Sequence, residues 1–121
     1  MALILVTDDS LFQRKIITSV LAEEGYDMME ASNGREALLI SGKKKPDLIL
    51  LDLLMPDMDG YQFMEAAREN GMNVPVVVLT SDIQDTTKEI CLKLGAAGFV
   101  NKPVEKENLL PIIKKLLSEK K

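Results

Sequence analysis

The 121-residue chain has no histidine and no tryptophan, and only one cysteine. Without histidine there is no imidazole acid/base catalysis, no His-ligated zinc and no role as a phosphohistidine donor. With Cys91 alone no internal disulfide can form, so a buried, inert thiol in a reducing, cytoplasmic setting is expected. Two tyrosines and three phenylalanines leave the core to aliphatic side chains. No apolar run approaches the length of a membrane span, and Met1 to Leu5 lacks the basic start of a signal peptide. A soluble protein without membrane contact is expected. The net charge of −4 and the lack of a Lys/Arg stripe argue against direct nucleic-acid binding. Lys43 to Lys45, the interior basic triplet, suits a helix exit, where lysines complement the dipole and stay in water. No Gly-rich loop is available to cradle a nucleotide phosphate.

What is present is ordinary for one soluble domain spanning residues 1–121: 46% hydrophobic and 28% charged residues. A chain of this length buries about two thirds of its unfolded surface. Ser118 to Lys121 read as a natural end or a linker.

Ala2 to Val6 is an apolar run, read as a buried first strand, and ends in Thr7-Asp8-Asp9-Ser10. Leu11, Ile16, Ile17, Val20 and Leu21 follow at helical spacing up to Glu24-Gly25. Tyr26 to Ala31 is a more polar strand, followed by a helix from about Asn33 to Ile40 that ends at Ser41-Gly42. Asp47 to Asp52 is a third strand, apolar without alternation, as in a parallel sheet covered on both faces. After the turn Met55-Pro56-Asp57-Met58-Asp59-Gly60, Phe63, Met64, Ala66 and Ala67 mark a helix ending near Asn70-Gly71. Val74 to Thr80 is a fourth strand with Pro75 at its start, where a missing donor is tolerated. Ile83, Ile90, Cys91 and Leu94 share one face of a helix ended by Gly95. Ala97 to Val100 is a short fifth strand, broken by Lys102-Pro103. Leu109, Ile112, Ile113, Leu116 and Leu117 mark the last helix, which Pro111 predicts to begin near Asn108 or to bend.

Five strands alternating with five helices call for an α/β fold, a parallel sheet with helices on both faces. The first, third and fourth strands are the most apolar and so central. That matches the flavodoxin-like (βα)5 three-layer sandwich with strand order 2-1-3-4-5, an order taken from known folds. In it the first and third strands are neighbours. Asp8, Asp9 and Asp52 would then converge at the carboxyl ends of the strands, where open α/β sheets bind ligands. Three such carboxylates repel, and protonation or a hard cation such as Mg2+ relieves them. Asp8-Asp9-Ser10 reads equally as the cap and first-turn acids of the following helix. Thr80 from the fourth strand and Lys102 from the fifth reach the same rim, although each alone suits a plain role, a helix cap or a surface charge. Together they form a carboxylate nucleophile, a cation site, a hydrogen-bond donor and a fixed positive charge, the requirements of a phosphoryl group.

Over essentially its whole length the chain resembles the receiver domains of two-component response regulators, most closely the stand-alone chemotaxis type. The resemblance rests on Val6-Thr7-Asp8-Asp9-Ser10, Asn33-Gly34-Arg35-Glu36-Ala37, Leu51-Asp52-Leu53-Leu54-Met55-Pro56 with Asp59-Gly60, Leu79-Thr80-Ser81, and Gly95-Ala96 before Lys102-Pro103. It implies that Asp52 accepts a phosphoryl group from a sensor histidine kinase or histidine phosphotransfer protein. Asp8, Asp9, Asp52 and the backbone carbonyl of Leu54 would hold Mg2+, Thr80 would hydrogen-bond a phosphoryl oxygen, and Lys102 would pair with another. It further implies a switch, in which Thr80 moves toward the phosphoryl group and Phe99 turns inward. That remodels the surface of the fourth helix, fifth strand and fifth helix for a downstream target protein. Phe99 is also readable as plain core, and it lacks the hydroxyl that many relatives carry there as Tyr. Leu54 and Asp82 occupy positions that influence phosphoryl lifetime in the family. The resemblance implies a non-enzymatic signalling protein with Mg2+-dependent self-phosphotransfer and autodephosphorylation, a monomer or weak phosphorylation-dependent dimer. The alternatives are a small phosphohydrolase with an aspartyl nucleophile, for which Asp57-Met58-Asp59 has a superficially similar spacing, and a flavodoxin-like cofactor binder, which acidic turns disfavour.

Overall fold

The computed structural model describes residues 2–81 and 84–119. The elements are β1 (Leu3–Thr7), α1 (Leu11–Glu23), β2 (Asp27–Ala31), α2 (Gly34–Lys43), β3 (Leu48–Asp52), α3 (Gly60–Glu69), β4 (Val76–Thr80), α4 (Asp85–Lys93), β5 (Gly98–Asn101) and α5 (Lys106–Ser118). All four strand pairings are parallel and the order is β2-β1-β3-β4-β5.

Successive strand residues point to opposite faces, and both faces are covered, which is why the central strands are continuously apolar. Leu5, Ile49, Leu51, Val76 and Val78 pack with Ala37 of α2, Phe63, Met64 and Ala67 of α3 and Cys91 of α4. Ile4, Val6, Leu48, Leu50, Val77 and Leu79 face the other way, against Ile17 and Leu21 of α1 and Leu109, Leu110 and Ile113 of α5. The expected edge strands, β2 and β5, are the ones with exposed positions. Cys91 is buried, and burial pushes its thiol pKa up.

Several local expectations are corrected. Ser41-Gly42 does not end α2, which runs on to Lys43. The Ser41 hydroxyl donates to the Ala37 carbonyl at 2.7 Å, one turn back, and so sits in the helix without breaking it. The helix around Pro111 begins at Lys106 rather than near Asn108. Pro111 therefore lies past the first turn, where it removes one helical hydrogen bond; both it and Glu107, whose carbonyl would have accepted, are exposed to water. Ile90 does not share a buried face with Cys91: it is 50% exposed, and the buried positions of α4 are Thr87 and Cys91, one turn apart. Ile83, which was placed on the same face, lies outside the described residues, as do Met1, Asp82, Lys120 and Lys121. Lys43 to Lys45 are exposed at the helix exit, as expected. Gly25, Gly71 and Gly95 follow α1, α3 and α4 with φ of 82°, 75° and 101°, left-handed exits that favour glycine.

Candidate functional site

Register decides which side chains meet. Thr7 pairs with Leu51 across β1 and β3, so Asp8 and Asp52 leave the sheet at one level. Asp52 pairs with Leu79, which puts Thr80 one residue beyond it. Thr80 pairs with Asn101, and the Lys102 N–H donates to the Thr80 carbonyl at 2.9 Å, carrying Lys102 to the same rim.

The carboxylates of Asp8, Asp9 and Asp52 each place an oxygen within 4.8 Å of the others. Asp8 and Asp52 are buried and Asp9 is exposed. Lys102 Nζ lies 3.1 Å from Asp52 Oδ1 and 3.4 Å from Asp8 Oδ2. Burial raises the Asp52 pKa most, and Asp8 adds to the rise; the Lys102 ammonium and a hydrogen bond from the Leu54 backbone N–H oppose it. One ammonium among three carboxylates leaves negative charge to be neutralised. The donor set fits a small hard cation, which takes carboxylate oxygens and keeps several waters. The exposed Asp9 leaves the cluster open to solvent on one side.

Local structure explains why Asp8 is held. Its Oδ1 accepts the Ser10 N–H at 2.9 Å, its own N–H donates to the Ala31 carbonyl, and its carbonyl accepts Arg14 Nη1 at 2.6 Å. Ser10, not either aspartate, caps α1 by accepting the Gln13 N–H. Thr80 is buried at the end of β4 and does not cap α4, whose N-cap is Gln84. Leu54 follows the site and is 77% exposed. Phe99 is half-buried on β5, packed against the core shared with α2, α3 and α4. It stands in the α4–β5–α5 face beside Lys88, Asn101 and Ile112.

The acids after the turn stay apart from this cluster. Asp59 forms a reciprocal capping box with Gln62 at the start of α3, and Asp57, at φ 70°, pairs with Arg35. The sequence reading missed Arg14, whose guanidinium bridges Asp8 and Glu30. Its position on α1 is set by the helix phase and its partners by the strand order, so no local motif marks it.

Residues 4–114 match the response regulator receiver domain. The chain belongs to that family. It is 32% identical to the protein PilH of Pseudomonas aeruginosa over 98% of its own length and 99% of PilH. Among solved structures the receiver is similar to the chemotaxis protein CheY4 of Vibrio cholerae, at 33% identity and a TM-score of 0.91, covering 96% of this chain and 98% of that one. It also superposes on the receiver domain of Francisella response regulator 1452 over 100% of both chains, at 28% identity and a TM-score of 0.95. The receiver spans only 46% and 27% of two other curated relatives that it matches. Among the described residues, no helix is long and apolar enough to cross a membrane.

Proposed function

We propose that residues 1–121 act as a single receiver domain, a cytoplasmic phosphoacceptor that takes a phosphoryl group onto Asp52 from a sensor histidine kinase or histidine phosphotransfer protein. The observation that carries this reading is the Asp52 carboxylate itself, 3.1 Å from an ammonium and within 4.8 Å of two further carboxylates. An ionised Asp52 oxygen attacks phosphorus and forms the P–O bond of a mixed anhydride. The P–N bond to the donor imidazole breaks, and its electron pair stays on the imidazole nitrogen. Lys102 pairs with one phosphoryl oxygen and the Thr80 hydroxyl donates to another.

Asp8, Asp9, Asp52 and the Leu54 carbonyl would hold Mg2+, which when bound offsets charge on the carboxylates and the phosphoryl group. A small donor such as acetyl phosphate would serve in self-phosphotransfer, and attack of water on phosphorus would return the carboxylate and inorganic phosphate. The phosphoryl group favours the conformer that brings Thr80 close; Phe99 then turns inward and remodels the α4–β5–α5 surface for a downstream target protein. The receiver works as a monomer or weak phosphorylation-dependent dimer, without direct contact to nucleic acid or membrane.

The phosphohydrolase alternative is not favoured. Asp57 is engaged by Arg35 and Asp59 by the α3 cap, and the family match is to a signalling domain. Intact-mass analysis after incubation with acetyl phosphate is expected to show one added phosphoryl group that requires Mg2+ and is absent from Asp52→Asn. Labelling that survives the substitution would overturn the reading.

A further inference from the structure

The loop between β3 and α3 carries Leu54, two residues beyond Asp52; the Leu54 backbone carbonyl is the fourth cation ligand in the proposed function. Something must hold a loop whose residue 54 is mostly in solvent. At its far end Gly60 does so within its own segment: the Gly60 N–H donates to the Leu53 carbonyl at 2.9 Å, and a Cβ at 60 would meet the Asp52 carbonyl oxygen at 2.6 Å. In its middle the loop touches a different element, the N-terminus of α2. The Gly34 N–H donates to the Met58 carbonyl at 2.8 Å, and a Cβ at 34 would meet that same oxygen at 2.8 Å, so glycine permits the approach. Next to it the Arg35 guanidinium makes a two-pronged contact with Asp57, Nε to Oδ2 at 3.1 Å and Nη2 to Oδ1 at 3.3 Å.

Both partners of that fork are fixed. Asp57 sits in the left-handed region at φ 70°, which Asp and Asn tolerate better than most side chains. The start of α2 is tied down by Asn33, which accepts the Glu36 N–H, and by Glu36, which accepts the Ser32 N–H at the end of β2. A planar guanidinium against a planar carboxylate fixes direction as well as distance, which a lysine would not do. We propose that Gly34 and Arg35 are positioning residues: through Met58 and Asp57 they clamp the β3–α3 loop so that the Leu54 carbonyl is presented to the cation site. In two-component terms, α2 serves the site although none of its side chains reaches the carboxylate cluster. The functional importance of the clamp rests on the reading of Asp52 as phosphoacceptor; its geometric part does not.

The test uses the full chain with Arg35→Ala, Asp57→Asn and their double variant, the asparagine retaining tolerance of the left-handed backbone. The first readout is metal-free amide hydrogen exchange by NMR at Leu54, with Leu50 in the core as the reference. Each single variant is expected to speed Leu54 exchange about threefold, the scale of an exposed ion pair, with the double no worse than either single. Leu50 exchange is expected to stay unchanged. The second readout is the Mg2+ dissociation constant by calorimetry, expected to rise by a similar factor. Gly34→Ala is expected to exceed both variants in effect; if it does not fold, the Arg35 and Asp57 variants still decide. Unchanged Leu54 exchange, or exchange that rises in step at Leu54 and Leu50, would overturn the clamp. Wild-type protein that binds no Mg2+ would count against the phosphoacceptor reading, and Leu54 exchange would then decide the clamp alone.

Discussion

Lys102 reaches Asp52 across a strand: its Nζ lies 3.1 Å from Asp52 Oδ1, although β4 stands between β5, which leads to Lys102, and β3, which ends in Asp52. The same Nζ is 3.4 Å from Asp8 Oδ2. The ammonium is thus shared between carboxylates that follow two different strands.

The Asp52 carboxylate is costly to the fold because it is buried. Burial, the largest cause, raises the Asp52 pKa above its ordinary value of 3.8, so between the unfolded and folded values the native state binds more protons than the unfolded chain. Asp52 therefore lowers stability above that window, and the penalty disappears as the pH falls below the unfolded value. Without metal at pH 7, Asp52→Asn is expected to be more stable than wild type by about 1 kcal/mol, the scale on which single groups usually act. The difference should shrink toward zero through the acidic carboxylate range. Urea denaturation at a series of pH values measures it, and a wild type as stable as the variant at pH 7 would contradict it.

Three glycines should respond differently to alanine. At Gly60 the added Cβ meets backbone, the Asp52 carbonyl at 2.6 Å and Leu53 Cα at 2.8 Å, which cannot give way cheaply. At Gly98 it meets the Cδ1 end of Ile112, a side chain that can turn. At Gly42, inside α2, it meets nothing within 4 Å. Thermal or urea unfolding should show Gly60→Ala destabilised by about 2–3 kcal/mol and Gly98→Ala by less. Gly42→Ala should be stabilised by roughly 0.5–1 kcal/mol, because alanine loses less backbone entropy in a helix.

Much of this was readable in the chain. Apolar runs of Val, Ile and Leu identified the central strands, whose carboxyl ends brought Asp8, Asp9, Asp52 and Thr80 to one rim, and the edge strand β5 brought Lys102 there. Local signals failed where a tertiary partner decides. Ser41-Gly42 resembles a helix end, yet the Ser41 hydroxyl folds back on Ala37 and the helix continues. Ile90 fits the apolar pattern, but half of it stays in solvent because α4 turns Thr87 and Cys91 inward. Arg35 and Asp57 are 22 residues apart and meet only because α2 and α3 lie side by side on one face of the sheet.

Thr7 shows the same limit. The apolar run reads as ending at Val6, yet Thr7 is the last residue of β1, fully buried, and among the described residues its Oγ1 alone is a buried side-chain polar atom without a hydrogen-bond partner. Exchanging that hydroxyl for a methyl removes an unsatisfied group at constant shape. Thr7→Val is expected to raise stability by about 1 kcal/mol in urea denaturation, with Mg2+ affinity unchanged; a loss of stability would mean that the hydroxyl has a partner in solution.

The central claim is that Asp52 is the phosphorylated residue, and its chemical product can be mapped directly. After acetyl phosphate and Mg2+ treatment, borohydride reduces an aspartyl phosphate to homoserine, which peptide mass spectrometry assigns to a position. Homoserine at position 52, and at neither Asp8 nor Asp9, is the predicted result. Homoserine at another aspartate, or none in a protein that has taken up phosphate, would contradict the account.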